Sequence, residues 1–177
     1  MGGTDFRQNI HGLVYAIQVA DGSVDDARTV NLSQLIAARA GEKRFAAVPD
    51  DIAFVNGTDF AYISVMTANA VIRVDFSASP PTAGSPSGAN FLATGPSPTG
   101  IAINGTTAFT YNEVGRSFTE IDLASQTTTE LEVRSAPLPS AGSSEEDASR
   151  GQRFFNTGLA RWSTGAWAAT RRAPPTT

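Results

Sequence analysis

One strand pattern occurs three times in this chain, and that repetition limits the folds available to it. Residues 14–23, 71–79 and 118–126 each alternate apolar and polar side chains and end in a polar turn. Alternation with a period of two is typical of a half-buried β-strand. Because an overlooked repeat leads to the wrong architecture, the three copies take priority over any local assignment.

The second and third copies are also alike upstream of that strand. Residues 48–54 match residues 97–103, and each segment leads into another predicted strand, at 60–65 and at 108–112 respectively. An Asn-Gly pair precedes each of these strands. Such a pair between alternating runs predicts a β-hairpin, because both residues adopt positive φ at little cost. The two pairs are Asn56-Gly57 and Asn104-Gly105.

The repeat has the length of one four-stranded sheet of a β-propeller. Ile52 and Ile101 are 49 positions apart, and Val74 and Ile121 are 47 positions apart. Propeller blades of four strands repeat at about that length. We therefore predict an all-β fold, a partial β-propeller with two to three blades of antiparallel sheet, followed by a short C-terminal helical segment.

The order of residue types within the repeat resembles the YVTN-type propeller repeat. Pro and small residues precede Ile-Ala, and an Asn-Gly pair, an aromatic strand and a hydrophobic-Asp-hydrophobic strand follow in that order. The aromatic strand is residues 61–64 in one copy and 109–112 in the next. The resemblance covers about residues 11–137. The alternative is a β-sandwich with similar hairpins, although a sandwich does not require the same residue classes at the same offset from each turn.

The first copy begins at its outer hairpin, so its inner strands are expected before Met1 in a complete propeller. Blades do not bury their faces alone, and closed propellers have at least about four of them. We therefore expect either a fragment or a chain whose open sheet edges are covered by missing blades or a protein partner. Open edges otherwise promote aggregation.

Two segments depart from the strand pattern. Residues 77–88 are rich in Ser, Ala, Gly and Pro, which predicts a solvated, flexible insertion. A binding role for residues 77–90 is the alternative. Residues 36–40 predict a turn of helix before Gly41, with no function assigned to it.

The pattern changes at residue 137, and residues 143–155 have the composition of a helix. A Ser N-cap precedes three acidic residues, and two arginines lie towards the far end, an order that suits the helix dipole. Two nearby prolines mark a boundary. We predict a partial propeller at 1–137 and, at 138–177, a linker with the truncated start of a second domain.

That second segment resembles a haem domain at its beginning. Residues 149–163 are similar to the first helix and loop of di-haem cytochrome c peroxidase-like proteins, in which a basic residue, Gly, two residues and Phe-Phe lead towards Cys-x-x-Cys-His. Propellers fused ahead of such domains are known in that family. The resemblance implies an intact protein that binds haem c, transfers electrons or reduces peroxide, and is periplasmic or secreted.

The chain departs from that family where haem would be attached. It has no cysteine, and residues 165–177 contain no histidine, so neither thioether attachment nor axial ligation is available. No cofactor is predicted for this chain. Trp162 and Trp167, which would lie near a haem in the family, are interpreted as anchors of a short hairpin or helix. The tail of Arg, Ala, Pro and Thr leads to the hypothesis of a shifted reading frame.

Composition narrows the functional classes further. The 177 residues carry 13 basic and 17 acidic side chains, a formal net charge of −4, so no basic surface for nucleic acid is predicted. No run is long and apolar enough to predict a membrane span. Residues 1–5 lack the features of a signal peptide.

Few polar residues are candidates for a site. His11 is the only histidine, and the sequence around it offers as partners only Asp5 and, further on, Asp21, Asp25 and Asp26, so an ordinary surface or turn role is predicted. The pairs Asp25-Asp26 and Asp50-Asp51 could bind calcium, but they lack the spacing of a calcium loop and are interpreted as turn residues.

Two further carboxylates recur at one position of the repeat. Asp75 and Asp122 each precede a polar turn, which predicts that they bond the backbone of that turn. Serine catalysis and phosphate binding have no matching motif. No catalytic, cofactor-binding or metal-binding residue is therefore assigned.

Three functional interpretations follow. The first is a non-catalytic propeller fragment of a c-type cytochrome or peroxidase-like redox protein, whose intact relatives would be oxidoreductases. The second is a self-standing propeller-type binding or scaffold module. The third, a propeller enzyme of the lactonase type, ranks last because it requires metal ligands at the central channel that the sequence does not show.

Overall fold

The computed structural model describes residues 11–131 and 133–156, which form short antiparallel sheets and two helices. The strands are β1 (Leu13–Val14), β2 (Val30–Asn31), β3 (Pro49–Phe54), β4 (Phe60–Val65), β5 (Ala70–Asp75), β6 (Thr82–Ala83), β7 (Leu92–Ala93), β8 (Pro98–Asn104), β9 (Thr107–Asn112), β10 (Ser117–Asp122) and β11 (Thr127–Leu131). The helices are α1 (Leu32–Ala37) and α2 (Ser144–Asn156), with a 3-10 turn at Met66–Ala68.

The strands pair in chain order to form two successive sheets. In the first blade, residues 49–93, the order is β3-β4-β5-β6, and β7 also pairs with β5. In the second blade, residues 98–131, the order is β11-β10-β9-β8. Every pairing is antiparallel, and neither sheet closes on itself. The all-β partial β-propeller predicted from the repeat is therefore confirmed, with consecutive strands in each blade rather than the crossed connections of a sandwich.

The two blades repeat each other in backbone detail. Both innermost strands contain a bulge, between Pro49 and Asp51 in β3 and between Thr99 and Ile101 in β8. The residue before each innermost strand has a positive φ, 53° at Val48 and 55° at its counterpart Ser97. The turn between the second and third strands also repeats a left-handed residue, with φ of 45° at Asn69 and 52° at Arg116.

The N-terminal half-blade, residues 11–31, supplies the outer part of a preceding blade. β1 pairs with β2 through Val14 and Val30. The equivalent pair in the first blade is Val71 of β5 with Leu92 of β7, so the two pairings have the same register. The strand predicted at 14–23 is shorter than expected, since beyond β1 only an isolated bridge joins Ile17 to Val24. The first copy of the repeat therefore corresponds to the third and fourth strands of a blade.

The first blade lies between two apolar cores because its strands bury both faces. Ala61, Ile63 and Val65 of β4 contact the core shared with the half-blade and α1. Tyr62, on the opposite face of the same strand, packs in a second core with Ala108 of the second blade. Alternate side chains of β4 therefore face two different neighbouring blades, and neither face of this strand is turned to solvent.

The insertion predicted to be a solvated loop is largely ordered, and that prediction was wrong in part. Thr82 and Ala83 pair with β5 as its fourth-strand neighbour, and the N–H of Gly84 donates to the carbonyl of Arg73 at 2.8 Å. Asn90, only 4% exposed, donates through Nδ2 to two backbone carbonyls of the segment after α1. The insertion therefore contains β6, one half of a split fourth strand, and β7, the other half, follows it.

Two helices were expected, and both form. The turn of helix predicted at 36–40 is found slightly earlier, as α1, where the Asn31 side chain accepts a hydrogen bond from the N–H of Gln34 at 3.1 Å. The helix predicted at 143–155 is α2, where the Ser143 hydroxyl accepts from the N–H of Glu146 at 3.1 Å. The remaining residues of the predicted second segment, 157–177, including both tryptophans, lie outside the described residues.

Candidate functional site

The two recurring aspartates bond the turns that follow them. Oδ1 of Asp75 accepts from the backbone N–H of Ser77 at 2.9 Å and from its hydroxyl at 2.6 Å. Oδ1 of Asp122 accepts from the N–H groups of Ala124 at 2.9 Å and Ser125 at 2.7 Å. The structural role predicted for this position is confirmed.

These hydrogen bonds favour the charged carboxylate. The Ser77 hydroxyl lowers the pKa of Asp75, and the Ser125 N–H lowers the pKa of Asp122. The backbone N–H of Ser23 lowers the pKa of Asp21 in the same way. A general acid at neutral pH requires a raised pKa, so these carboxylates are held in the opposite state.

The pair Asp50-Asp51 joins the two blades. Oδ2 of Asp50 accepts from the backbone N–H of Gly100, and Oδ2 of Asp51 accepts from the backbone N–H of Ile101, both at 2.9 Å. The prediction of ordinary turn residues was therefore wrong for this pair. The donors belong to the bulge of β8, and no local pattern in the sequence indicates a contact across fifty positions.

The second acidic pair does act within a turn. Oδ1 of Asp25 accepts from the backbone N–H groups of Ala27 at 3.1 Å and Arg28 at 3.3 Å. Asp26 is exposed. Within residues 11–131 and 133–156, no group of three His, Cys, Asp or Glu side chains is placed to hold a metal ion.

His11 lies at the start of the half-blade and is partly buried. Its Nδ1 is buried and has no hydrogen-bond partner among the described residues. The structure brings none of the candidate carboxylates to this ring as a hydrogen-bond partner. The residues singled out in the sequence therefore lie in separate places and form no common site.

The half-blade exposes positions that the other two copies bury, and we call these the N-terminal open face. By the repeat, Leu13, Tyr15 and Ile17 correspond to alternate residues of β5 and β10 that face the preceding blade. Their exposed fractions are 39%, 59% and 61%. The equivalent residues of β5, namely Ala70, Ile72 and Val74, are completely buried.

The second blade exposes the opposite face, and we call Phe109, Tyr111 and Phe118 the C-terminal open face. Tyr111 and Phe118 are partly buried and their rings lie 5.2 Å apart between centroids, whereas Phe109 is 37% exposed. The first-blade counterparts of Phe109 and Phe118 are Tyr62 and Val71, which pack against the next blade and are 2% and 0% exposed.

Sequence reasoning predicts open sheet edges that missing blades or a protein partner would cover, but it does not identify the two open faces. An aromatic residue at the Phe109 position was recognised as part of the repeat. The alternation in β9 and β10 does not show which face a neighbouring blade covers, because the first and second blades have similar patterns. These faces are identified by comparing the exposure of equivalent residues in the copies of the repeat, and that comparison requires the structure.

No family model matches the chain, and no curated protein matches it. A structure described as a "putative 6-phosphogluconolactonase" from Bacteroides fragilis aligns with 71% of this chain at 21% identity and a TM-score of 0.48. The match spans 34% of that protein. The activity in that description is not assigned to this chain.

The repeated sheets of the chain itself are the basis for its assignment as a partial propeller. Among the described residues, no helix is long and apolar enough to cross a membrane. Two features stand out among the described residues. Carboxylates accept hydrogen bonds from backbone N–H groups, and two apolar blade faces are exposed. The Asp50 and Asp51 contacts and the two open faces belong to the stacking of blades, whereas Asp75 and Asp122 bond their own turns.

Proposed function

We propose that this chain is the non-catalytic propeller part of a c-type cytochrome or peroxidase-like redox protein. The observation that carries the non-catalytic role is the engagement of its candidate carboxylates. Asp50 and Asp51 hold the next blade, and Asp75 and Asp122 hold their own turns. Groups committed to backbone N–H donors in this way stabilise the fold rather than act on a substrate.

The connection to a haem domain is supported by helix α2. It begins after a Ser cap with three acidic residues in its first turn, and its last turn carries Phe154 and Phe155, which are 65% and 90% exposed. This is the Phe-Phe pair that resembles the start of the haem domain. Two exposed aromatic rings at the end of a helix suit a surface on which a following domain packs.

The residues of this chain do not fit haem c itself. Covalent attachment requires two cysteines, and the chain has none. Its one histidine, His11, belongs to the half-blade. We therefore assign haem binding, electron transfer and the periplasmic or secreted location to an intact relative, and no step of that chemistry to these residues.

The encoding DNA tests the haem connection. It would be resequenced from the codon of Ser140 onward and translated in all three frames. We expect a Cys-x-x-Cys-His motif shortly after the codon of Trp167. The absence of that motif from every frame over the following domain-sized stretch would remove the cytochrome connection.

The second candidate is a self-standing propeller-type binding or scaffold module. The two open faces favour it, because apolar blade surfaces are covered by neighbours inside the chain and are exposed at its two outer blades. A soluble, defined assembly of the purified chain supports this candidate. Aggregation of the chain, together with a haem motif in an adjacent frame, supports the first.

A further inference from the structure

The two open faces have complementary places in the repeat. The N-terminal open face carries the residues with which a blade contacts its predecessor, and the C-terminal open face carries those with which a blade contacts its successor. Inside the chain these two kinds of face meet once, between the first and second blades. There Ile121 packs in one core with Tyr62 and Val71.

The same contact is available between two molecules. Ile17 occupies the position of Ile121, and Phe109 occupies the position of Tyr62, yet Ile17 is 61% and Phe109 is 37% exposed. We propose that the N-terminal open face of one copy packs on the C-terminal open face of a second copy. The occupant is a second copy because this chain carries both halves of an interface that it already builds internally.

The association is head to tail rather than symmetric. Each copy uses two different surfaces, so the contact leaves one further face free on each partner. Such a contact produces a ring if the rotation closes and a chain of copies if it does not. The inference concerns the blades alone and does not depend on the haem connection.

Matched lysine substitutions in the 177-residue chain test this arrangement. Ile17→Lys changes the N-terminal face and Phe109→Lys changes the C-terminal face, where Glu120 lies directly across from residue 109 and accommodates the new charge. Leu138→Lys is the control, because Leu138 is 47% exposed and belongs to neither face. Circular dichroism confirms that each variant is folded.

The readout is the average molecular mass by sedimentation over a wide range of protein concentration. We expect the mass of the wild type and of Leu138→Lys to rise above that of the monomer. Each face variant should need at least a tenfold higher concentration to associate. A wild type that stays monomeric throughout overturns the proposal.

Mixing the two face variants separates head-to-tail packing from a symmetric dimer. The Ile17→Lys chain keeps an intact C-terminal face, and the Phe109→Lys chain keeps an intact N-terminal face. We expect the mixture to form a one-to-one pair and nothing larger. Association of either face variant alone to the wild-type extent, or no pairing in the mixture, overturns the head-to-tail arrangement.

Hydroxyl-radical footprinting of the unmodified protein provides a test that needs no variant. As concentration rises, oxidation of Tyr15 and Phe109 should fall together at least several-fold. Phe54, which is 53% exposed and lies on neither face, should be oxidised at a constant rate. Loss of oxidation at only one of the two faces contradicts the proposal.

Discussion

The carboxylate of Asp51 accepts a hydrogen bond at 2.9 Å from the backbone N–H of Ile101, a residue fifty positions further along the chain. The contact joins the innermost strands of successive blades, at the point where β8 has its bulge. Asp50 repeats it one residue earlier, with Gly100 as the donor. Side chains of one blade therefore satisfy backbone groups of the next.

Removal of this contact should weaken the pairing of the blades. Replacement of Asp51 by Ala removes the acceptor of the Ile101 N–H, together with a local acceptor of the Ile52 N–H, and we expect the free energy of unfolding to fall by about 1 kcal/mol. Urea denaturation measures it. Asp26→Ala is the matched control, because Asp26 is an exposed aspartate, and it should change stability by less than about 0.5 kcal/mol. Equal losses in both variants would contradict the assigned role.

Acid should destabilise the chain through its turn aspartates. Hydrogen bonds from Ser77 and Ser125 lower the pKa of Asp75 and of Asp122 in the folded state. The unfolded carboxyl titrates near pH 3.9, so this stabilisation is complete above about that pH and is lost as the pH falls through the lowered folded values.

The double variant Asp75→Asn/Asp122→Asn isolates that contribution. Its free energy of unfolding should fall less steeply than that of the wild type as the pH drops below about 4, because two of the carboxyls that take up protons on unfolding are gone. Urea titrations at a series of pH values give the slopes. An unchanged slope in the double variant would refute the linkage.

Val48 adopts a backbone conformation that disfavours β-branched residues. Its φ is 53°, and its side chain is 52% exposed, so replacement costs little packing. Asn tolerates the left-handed region far better, and Val48→Asn should raise the free energy of unfolding by about 1 kcal/mol. Thermal denaturation provides the comparison. The same change at Val24, where φ is not positive, should bring no gain, and a gain at both sites would exclude the backbone explanation.

The buried hydroxyl of Tyr62 links the second strand of one blade to the outer turn of the next. It accepts a hydrogen bond from Nε2 of Gln126 at 2.7 Å, and Tyr62 is only 2% exposed. Tyr62→Phe keeps the ring and removes the acceptor, so we expect a loss of about 1 kcal/mol in chemical denaturation.

Tyr111→Phe provides the comparison for that variant. The hydroxyl of Tyr111 shares a hydrogen bond with Ser135 at 2.9 Å, and this contact is exposed to solvent. Its removal should cost clearly less than removal of the Tyr62 hydroxyl. A larger loss in Tyr111→Phe would show that burial does not determine how much each of these hydrogen bonds contributes to the free energy of unfolding.

The long central strands of each blade were predictable because their alternation and Asn-Gly turns are local signals. The unequal steps of the repeat are explained by the hairpins, since the paired residues Phe54 and Ala61 are seven positions apart and their counterparts Ile103 and Ala108 are five positions apart. In the second blade Asn104 ends the strand and pairs with Thr107, so the turn itself begins at Gly105.

Features that depend on distant neighbours were not predictable. β6 and β7 are two residues each, too short for any alternation, and they form only because β5 offers them a free edge. The role of Asp50 and Asp51 likewise depends on where β8 lies. Asp75 and Asp122 were assigned correctly because their partners are within three residues.

The position of the first blade between two cores determines where local unfolding of the molecule begins. It contacts a neighbour on each side, whereas the half-blade and the second blade each contact one within the described part of the chain. In an array of stacked units, stability is a sum of terms from nearest neighbours. Opening should therefore begin at both outer units and move inward, so that the backbone amides of β4 and β5 are the last to exchange with solvent.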